Sequence, residues 1–164
     1  MILKVVSLFF LLCVIFAGGA FSQVSRDIDP ISGEVTLVTD RFQMQSESNS
    51  IIRAEGGFAH LDDEFLFTLA FVNTRRIINF ERKTNLNFQI DQISASAKIA
   101  LNDQQQVAIN NTNYPTYVVI SILNKDDLTM FRDASILQVE FDDIIFRFPQ
   151  NTSYYIDQLF RALN

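Results

Sequence analysis

One stretch of thirteen residues constrains the fold of this chain more than any other. Ile136-Leu-Gln-Val-Glu-Phe141 and Ile144-Ile-Phe-Arg-Phe148 flank Asp142-Asp143. A two-residue loop there sets Phe141 against Ile144, Val139 against Phe146 and Leu137 against Phe148. Side chains alternate along a strand, so this register gathers all six on one face. Ile136, Gln138, Glu140, Ile145 and Arg147 fall on the other, with Glu140 diagonal to Arg147 and within ion-pair reach. A slip of one residue would scatter the apolar set over both faces. A lone hairpin is marginal in water, so the apolar face must meet another layer.

The flanking sequence offers part of that layer. Asn124 precedes Lys-Asp-Asp-Leu-Thr-Met-Phe-Arg-Asp133, which predicts a short helix near 125–133 with an Asn cap, acids in its first turn and Arg132 near its end. Leu128 and Phe131, three apart, face inward. Ile156, Leu159, Phe160 and Leu163 follow the i, i+3, i+4, i+7 spacing of a one-sided helix near 152–163. Asn151, Thr152 or Ser153 supplies its cap.

Earlier in the chain the signals are those of strands. Glu34–Thr39 is rich in β-branched residues, Gln43–Ser50 reads as a polar loop, and Ile51–Glu55 reads as a short strand broken by Gly56-Gly57. Asp62-Asp63 turns Phe58–Leu61 back onto Glu64–Val72. There Phe65, Phe67, Leu69 and Phe71 share one face and Leu66, Thr68, Ala70 and Val72 the other. Two apolar faces predict a central strand covered on both sides. Ile77–Phe80, Leu86–Ile90, Ile93–Leu101 and Val107–Ile109 follow as shorter strands, with a turn at Asn102–Gln106 and a loop at Asn110–Pro115. About nine or ten strands and two short helices predict a mainly β (α+β) domain, an antiparallel β-sandwich or a barrel-like closure.

Residues 1–22 have the layout of a secretory signal peptide. Lys4 leads an apolar run from Val5 to Ala17, and Ala20-Phe21-Ser22 places small residues before a cut at Gln23. The run is shorter than the roughly 20 residues needed to span a bilayer. Residues 23–33 then form a flexible lead-in, and 34–164 a single β-rich domain with no transmembrane segment. Loss of Lys4 leaves 12 basic against 19 acidic residues, a net charge of −7 where the whole chain has −6. That balance argues against nucleic acid as a partner. Cys13 is the only cysteine and leaves with the signal, so the mature chain has no disulfide, thiolate ligand or cysteine nucleophile. Its core must come from packing, for which 12 of the 16 phenylalanines are available.

Chemistry-bearing residues are sparse. His60 is the only histidine, which excludes a multi-histidine metal site. It alternates with apolar neighbours beside Asp62-Asp63 and reads as a strand-edge residue. Two of the three Asp-Asp pairs sit at hairpin turns, where Asp tolerates positive φ. The third, Asp126-Asp127, sits in a helix's first turn. No catalytic, cofactor-binding or metal-ligating residue is therefore assigned, and no cofactor is expected. Two weaker constellations remain. Arg75, Arg76, Arg82 and Lys83 bracket one short strand and form a possible anion patch. Phe65, Phe67, Phe71, Phe88 and Phe146 would line a ligand cavity if the core is hollow. Asn110-Asn111-Thr112 and Asn151-Thr152-Ser153 fit the N-glycosylation pattern.

The C-terminal unit, with Asp126-Asp127-Leu128, Phe131, Ala134, Val139-Glu-Phe141, Ile144-Ile-Phe146 and Leu159-Phe160, resembles an arrangement in uncharacterised exported bacterial mostly-β proteins. That resemblance implies an exported β domain and carries no site. A secreted β-rich domain with a C-terminal helix is also similar to lipocalins, which bind apolar ligands, although the lipocalin Gly-x-Trp is absent. The chain is thus expected to be an exported, non-enzymatic domain acting in binding or as an envelope component. Its partner is unspecified, a protein or a small apolar ligand. The alternatives are a carrier of a small apolar ligand and a carboxylate-based hydrolase.

Overall fold

The computed structural model describes residues 24–28 and 35–164. The signal segment 1–22, its cleavage site and residues 29–34 of the lead-in lie outside the described residues. Eleven strands pair in one antiparallel sheet: β1 Ser25–Ile28, β2 Val35–Val38, β3 Phe42–Gln43, β4 Gln45–Ser46, β5 Ile51–Leu61, β6 Glu64–Asn73, β7 Asn85–Ile90, β8 Ile93–Ile109, β9 Thr112–Leu123, β10 Leu137–Phe141 and β11 Ile144–Arg147. Two helices follow β9 and β11, α1 Lys125–Asp133 and α2 Thr152–Leu163.

The sheet closes on itself. Its order runs β1-β2-β5-β6-β9-β8-β7-β10-β11-β4, and β3 pairs with β5. Only Met44 separates β3 from β4. One short segment therefore bonds to β5 through Phe42 and Gln43, and to β11 through Gln45 and Ser46. Of the two architectures expected, the chain adopts the barrel-like one. The segment Gln43–Ser50, expected as a loop, supplies closing pairs instead, Gln43↔Glu55 on one side and Gln45↔Arg147 and Ser46↔Phe146 on the other, because it is flanked by strands with open backbone groups on both sides. The lead-in likewise contributes β1, which pairs with β2 in the register Ser25↔Val38 to Ile28↔Val35.

Hairpin chemistry sets most of the register. Asp62-Asp63, Asn110-Asn111 and Asp142-Asp143 all have both residues at positive φ, between 50° and 64°. Those values suit two-residue turns matched to strand twist. The C-terminal hairpin has the predicted register, Phe141↔Ile144, Val139↔Phe146 and Gln138↔Arg147. Leu137, Val139, Phe141 and Phe146 are buried, while Ile136, Glu140, Ile145 and Arg147 are exposed. One detail differs: Arg147 pairs with Glu47 rather than with Glu140, because β4 lies beside β11 and brings that acid closer.

Two expected breaks are absent. Strand β5 runs straight through Gly56-Gly57. A Cβ on Gly56 would lie 2.5 Å from the Phe42 ring and 2.9 Å from the Met44 sulfur. The residue is glycine to admit another strand's side chains, not to interrupt its own. Strand β8 runs through Asn102–Gln106 into β9 with the pairs Asn102↔Val119 to Ile109↔Thr112. Its polar side chains are tolerated because the far half of this hairpin projects from the barrel, where Gln105 to Ala108 are exposed.

The core fills the ring. Strand β6 sits between β5 and β9 and is buried on both faces, as its two apolar rows predict. Phe65, Phe67, Leu69 and Phe71 face the main core, and Leu66 and Ala70 join Val38, Ala59, Val118 and Ile120 in a smaller cluster on the other side. The helices close one end. Asn124 Oδ1 accepts the Asp127 N–H at 2.8 Å and Asp127 Oδ2 accepts the Asn124 N–H at 2.9 Å, a reciprocal cap that starts α1. Phe131 of α1 meets Phe88 with ring centroids 4.8 Å apart, and Phe160 of α2 meets Phe65 edge-on at 6.0 Å.

Candidate functional site

At the end of the barrel away from the helices, residues 74–84 cross from β6 to β7. The sequence reads Ile77–Phe80 as a strand; the structure has instead a bend and a single 3-10 turn, Phe80–Arg82, entered through Asn79 at φ 58°. No neighbouring strand is free to pair there, because β9 already occupies the edge of β6. The crossing is held at its ends by the Thr74 N–H on the Ser50 carbonyl and the Ile99 N–H on the Thr84 carbonyl, both at 2.8 Å, and at three further points. Asn73 Oδ1 accepts the Arg75 N–H at 2.9 Å. Ile77 is buried, and its N–H donates to the Tyr117 hydroxyl at 2.8 Å. Asn102 Nδ2 donates to the Phe80 carbonyl at 3.0 Å. The Tyr117 ring is fully buried between Phe71 and Phe80, at 5.2 and 4.9 Å.

The four residues expected as an anion patch are placed by this scaffold but not all together. Lys83 does not join it: its Nζ lies 2.5 Å from Asp142 on the β10–β11 turn. Arg75, Arg76 and Arg82 are exposed and form no ion pair among the described residues. Arg76 and Arg82 converge on one shallow hollow of about 480 Å³, shared with Ile78, Asn79 and Gln104 and with one acid, Glu81. Ile78 is 78% exposed, the most exposed large apolar side chain described. Sequence reasoning placed the arginines at the ends of a strand and so missed Ile78, which strand alternation would have half buried. The signal available was Asn79, whose type favours the left-handed turn that everts its neighbour.

The five phenylalanines named for a cavity are in the core, but in contact. Phe67 packs on Phe88 at 5.6 Å and Phe71 on Phe146 at 4.9 Å. Phe148, from the end of the hairpin, reaches Phe67 at 5.1 Å and Phe131 at 6.3 Å. Rings at these separations are in van der Waals contact, so they occupy the interior they were expected to line.

The remaining candidates have structural duties. His60 lies 4.9 Å from the Phe65 ring, edge-on. Asp62, Asp63, Asp142 and Asp143 occupy turns, and Asp126 and Asp127 the first turn of α1. Among the described residues, no group of three or more His, Cys, Asp or Glu is placed to hold a metal, and no helix is long and apolar enough to cross a membrane. One charged cluster went unread in the sequence. The Glu55 side chain, 8% exposed, accepts Gln43 Nε2 at 2.9 Å and Arg53 Nε at 2.8 Å and lies 3.6 Å from Arg41. Arg53 and Glu55, two apart on a strand, share a face, which was the legible half of the cluster. It borders a cleft of about 450 Å³ with Ala70, Val72 and Val107.

Fold and site together define a closed antiparallel barrel with a filled core and an anchored arginine-bearing crossing at one end. Comparison with known proteins finds no matching protein family, curated relative or solved structure.

Proposed function

We propose that this is an exported, non-enzymatic binding domain whose recognition surface is the 74–84 crossing. The observation that carries the reading is Ile78, held out in solvent between arginines that form no ion pair among the described residues, on a segment fixed to the core by Tyr117 and Asn102. Single exposed apolar side chains are ordinary on protein surfaces, and what sets Ile78 apart is its degree of exposure and its place beside Arg76 and Arg82 in one hollow. Arginine beside an apolar contact is a combination that protein interfaces favour. In a chain of net charge −6 this cationic end faces against the overall field, so it suits an acidic partner surface with an apolar centre. The filled core supports an outer-surface mode of binding over the apolar-carrier alternative.

A short peptide of alternating glutamate and leucine serves as the probe. In an NMR titration the shifts should localise to residues 75–82, and Arg76→Glu with Arg82→Glu should remove them. Lys83→Ala, whose side chain is committed to Asp142, should leave binding unchanged. Saturable shifts elsewhere, or none, would end this reading. Export is tested separately by N-terminal sequencing of secreted material, which should begin within two residues of Gln23; an intact Met1 there would contradict it.

A further inference from the structure

We infer that the projecting half of the β8–β9 hairpin is a self-association edge, through which two copies pair antiparallel along β8. The inference does not rest on the arginine reading, although its first residue, Gln104, also lines the hollow beside Arg76 and Arg82. Strand β7 pairs with β8 only from Ile93 to Lys98, and the Asn102 side chain ties β8 to Phe80 just beyond. From Gln104 to the turn, β8 has β9 on one side and no described strand on the other.

The register says which groups are open. In a two-residue hairpin the residues flanking the turn exchange both backbone hydrogen bonds. Ile109 and Thr112 flank this one, so Ile109, Val107 and Gln105 bond inward to β9. Gln104, Gln106 and Ala108 turn their N–H and C=O outward. Pro115, opposite Gln106, agrees: it falls at a pair that needs no N–H. On the projecting part of β9 that proline also removes an outward donor and blunts its edge. The β8 edge, Gln-Gln-Gln-Val-Ala-Ile, carries none of the lysines, prolines or glycines that guard such edges.

Charge selects the occupant. An acidic chain repels its own copy, and residues 104–124 are the longest uncharged run among the described residues. A two-fold axis at Gln106 pairs Gln106 with its own mate and Gln104 with Ala108, for six backbone bonds. The nearest charge, Asp103, then lies opposite Ile109 and meets no like charge. Such pairing uses up both edges and closes as a symmetric dimer. The interface is small, so the association is weak, in the class below about 1,200 Å².

Analytical ultracentrifugation of the purified protein, from roughly micromolar to millimolar, tests this. The weight-average mass should rise toward twice the monomer with concentration. Gln106→Lys, which sets two cations at the axis, should hold the mass at that of the monomer. Ala108→Pro should do the same while leaving inward pairing intact, with an unchanged melting temperature as the control for folding. Asp103→Asn should keep the dimer. A wild-type protein monomeric throughout, or a Gln106→Lys variant that associates as well as wild type, overturns the proposal.

Discussion

Replacing Tyr117 with Phe isolates one bond in the support of the arginine crossing. The ring is fully buried, and its stacking on Phe71 and Phe80 survives the change, so no cavity larger than a hydroxyl opens. What is lost is the acceptor for the Ile77 N–H, 2.8 Å away and buried with its residue. A buried donor left without a partner costs about 1–3 kcal/mol. The cost falls first on the crossing, because between its two tied ends, Thr74 and Thr84, the other anchors are the bonds at Arg75 and Phe80 and the packing of Ile77 and Phe80. Amide exchange at residues 76–83 should therefore speed up roughly 5- to 150-fold, the equivalent of that free energy. Exchange in the middle of β5 and β6 should follow only the loss of global stability measured in denaturant. Binding of the acidic peptide probe should weaken although no contact residue has changed. If exchange at 76–83 and the denaturant midpoint both match wild type, the Tyr117 hydroxyl does not hold the crossing and the rigid-support reasoning fails.

Phe146→Ala truncates a fully buried ring packed on Phe71 and should cost about 3–5 kcal/mol, whereas Arg147→Ala loses an exposed pair with Glu47 and should cost under about 1 kcal/mol; denaturant melts separate the two. Gly56→Ala should destabilise by about 1–3 kcal/mol in the same assay, because its Cβ meets Phe42 at 2.5 Å, and Phe42→Leu in that background should recover part of the loss. Asp143→Gly should be neutral or slightly stabilising in thermal melts, since the residue sits at φ 64°. Asn124→Ala removes the cap of α1 and should cost about 0.5–2 kcal/mol.

Local periodicity made most of the fold legible. The hairpin around Asp142-Asp143, the Asn124 cap and the two-faced strand read at Glu64–Val72 each rest on neighbouring residues, and each is found, the cap with a return bond from Asp127 that was not read. What was not legible depended on distant strands. Gly56-Gly57 looks like a break until Phe42 is seen lying over it, and Asn102–Gln106 looks like a turn until β9 satisfies its backbone. The arginines of the site were named from their place at either end of Ile77–Phe80. Ile78 was not, because its exposure follows from the bend at Asn79 and from Tyr117, forty positions later, holding Ile77 down. Ring closure through Met44 had no local signature, since two-residue strands carry no period.

The strand order also sets the sequence of events by which this molecule can be made. The meander from β7 to β9 enters the sheet backwards, so β6 gains its second neighbour only when residues 116–123 are available. Ser46 waits for Phe146, a hundred positions later, before the ring can shut. An emerging chain can pair β2, β5 and β6 early, but closing the ring waits for long-range pairings, which form slowly. Until β11 is present, the ring stays open, and the segment Gln45–Ser46 has no partner to close on.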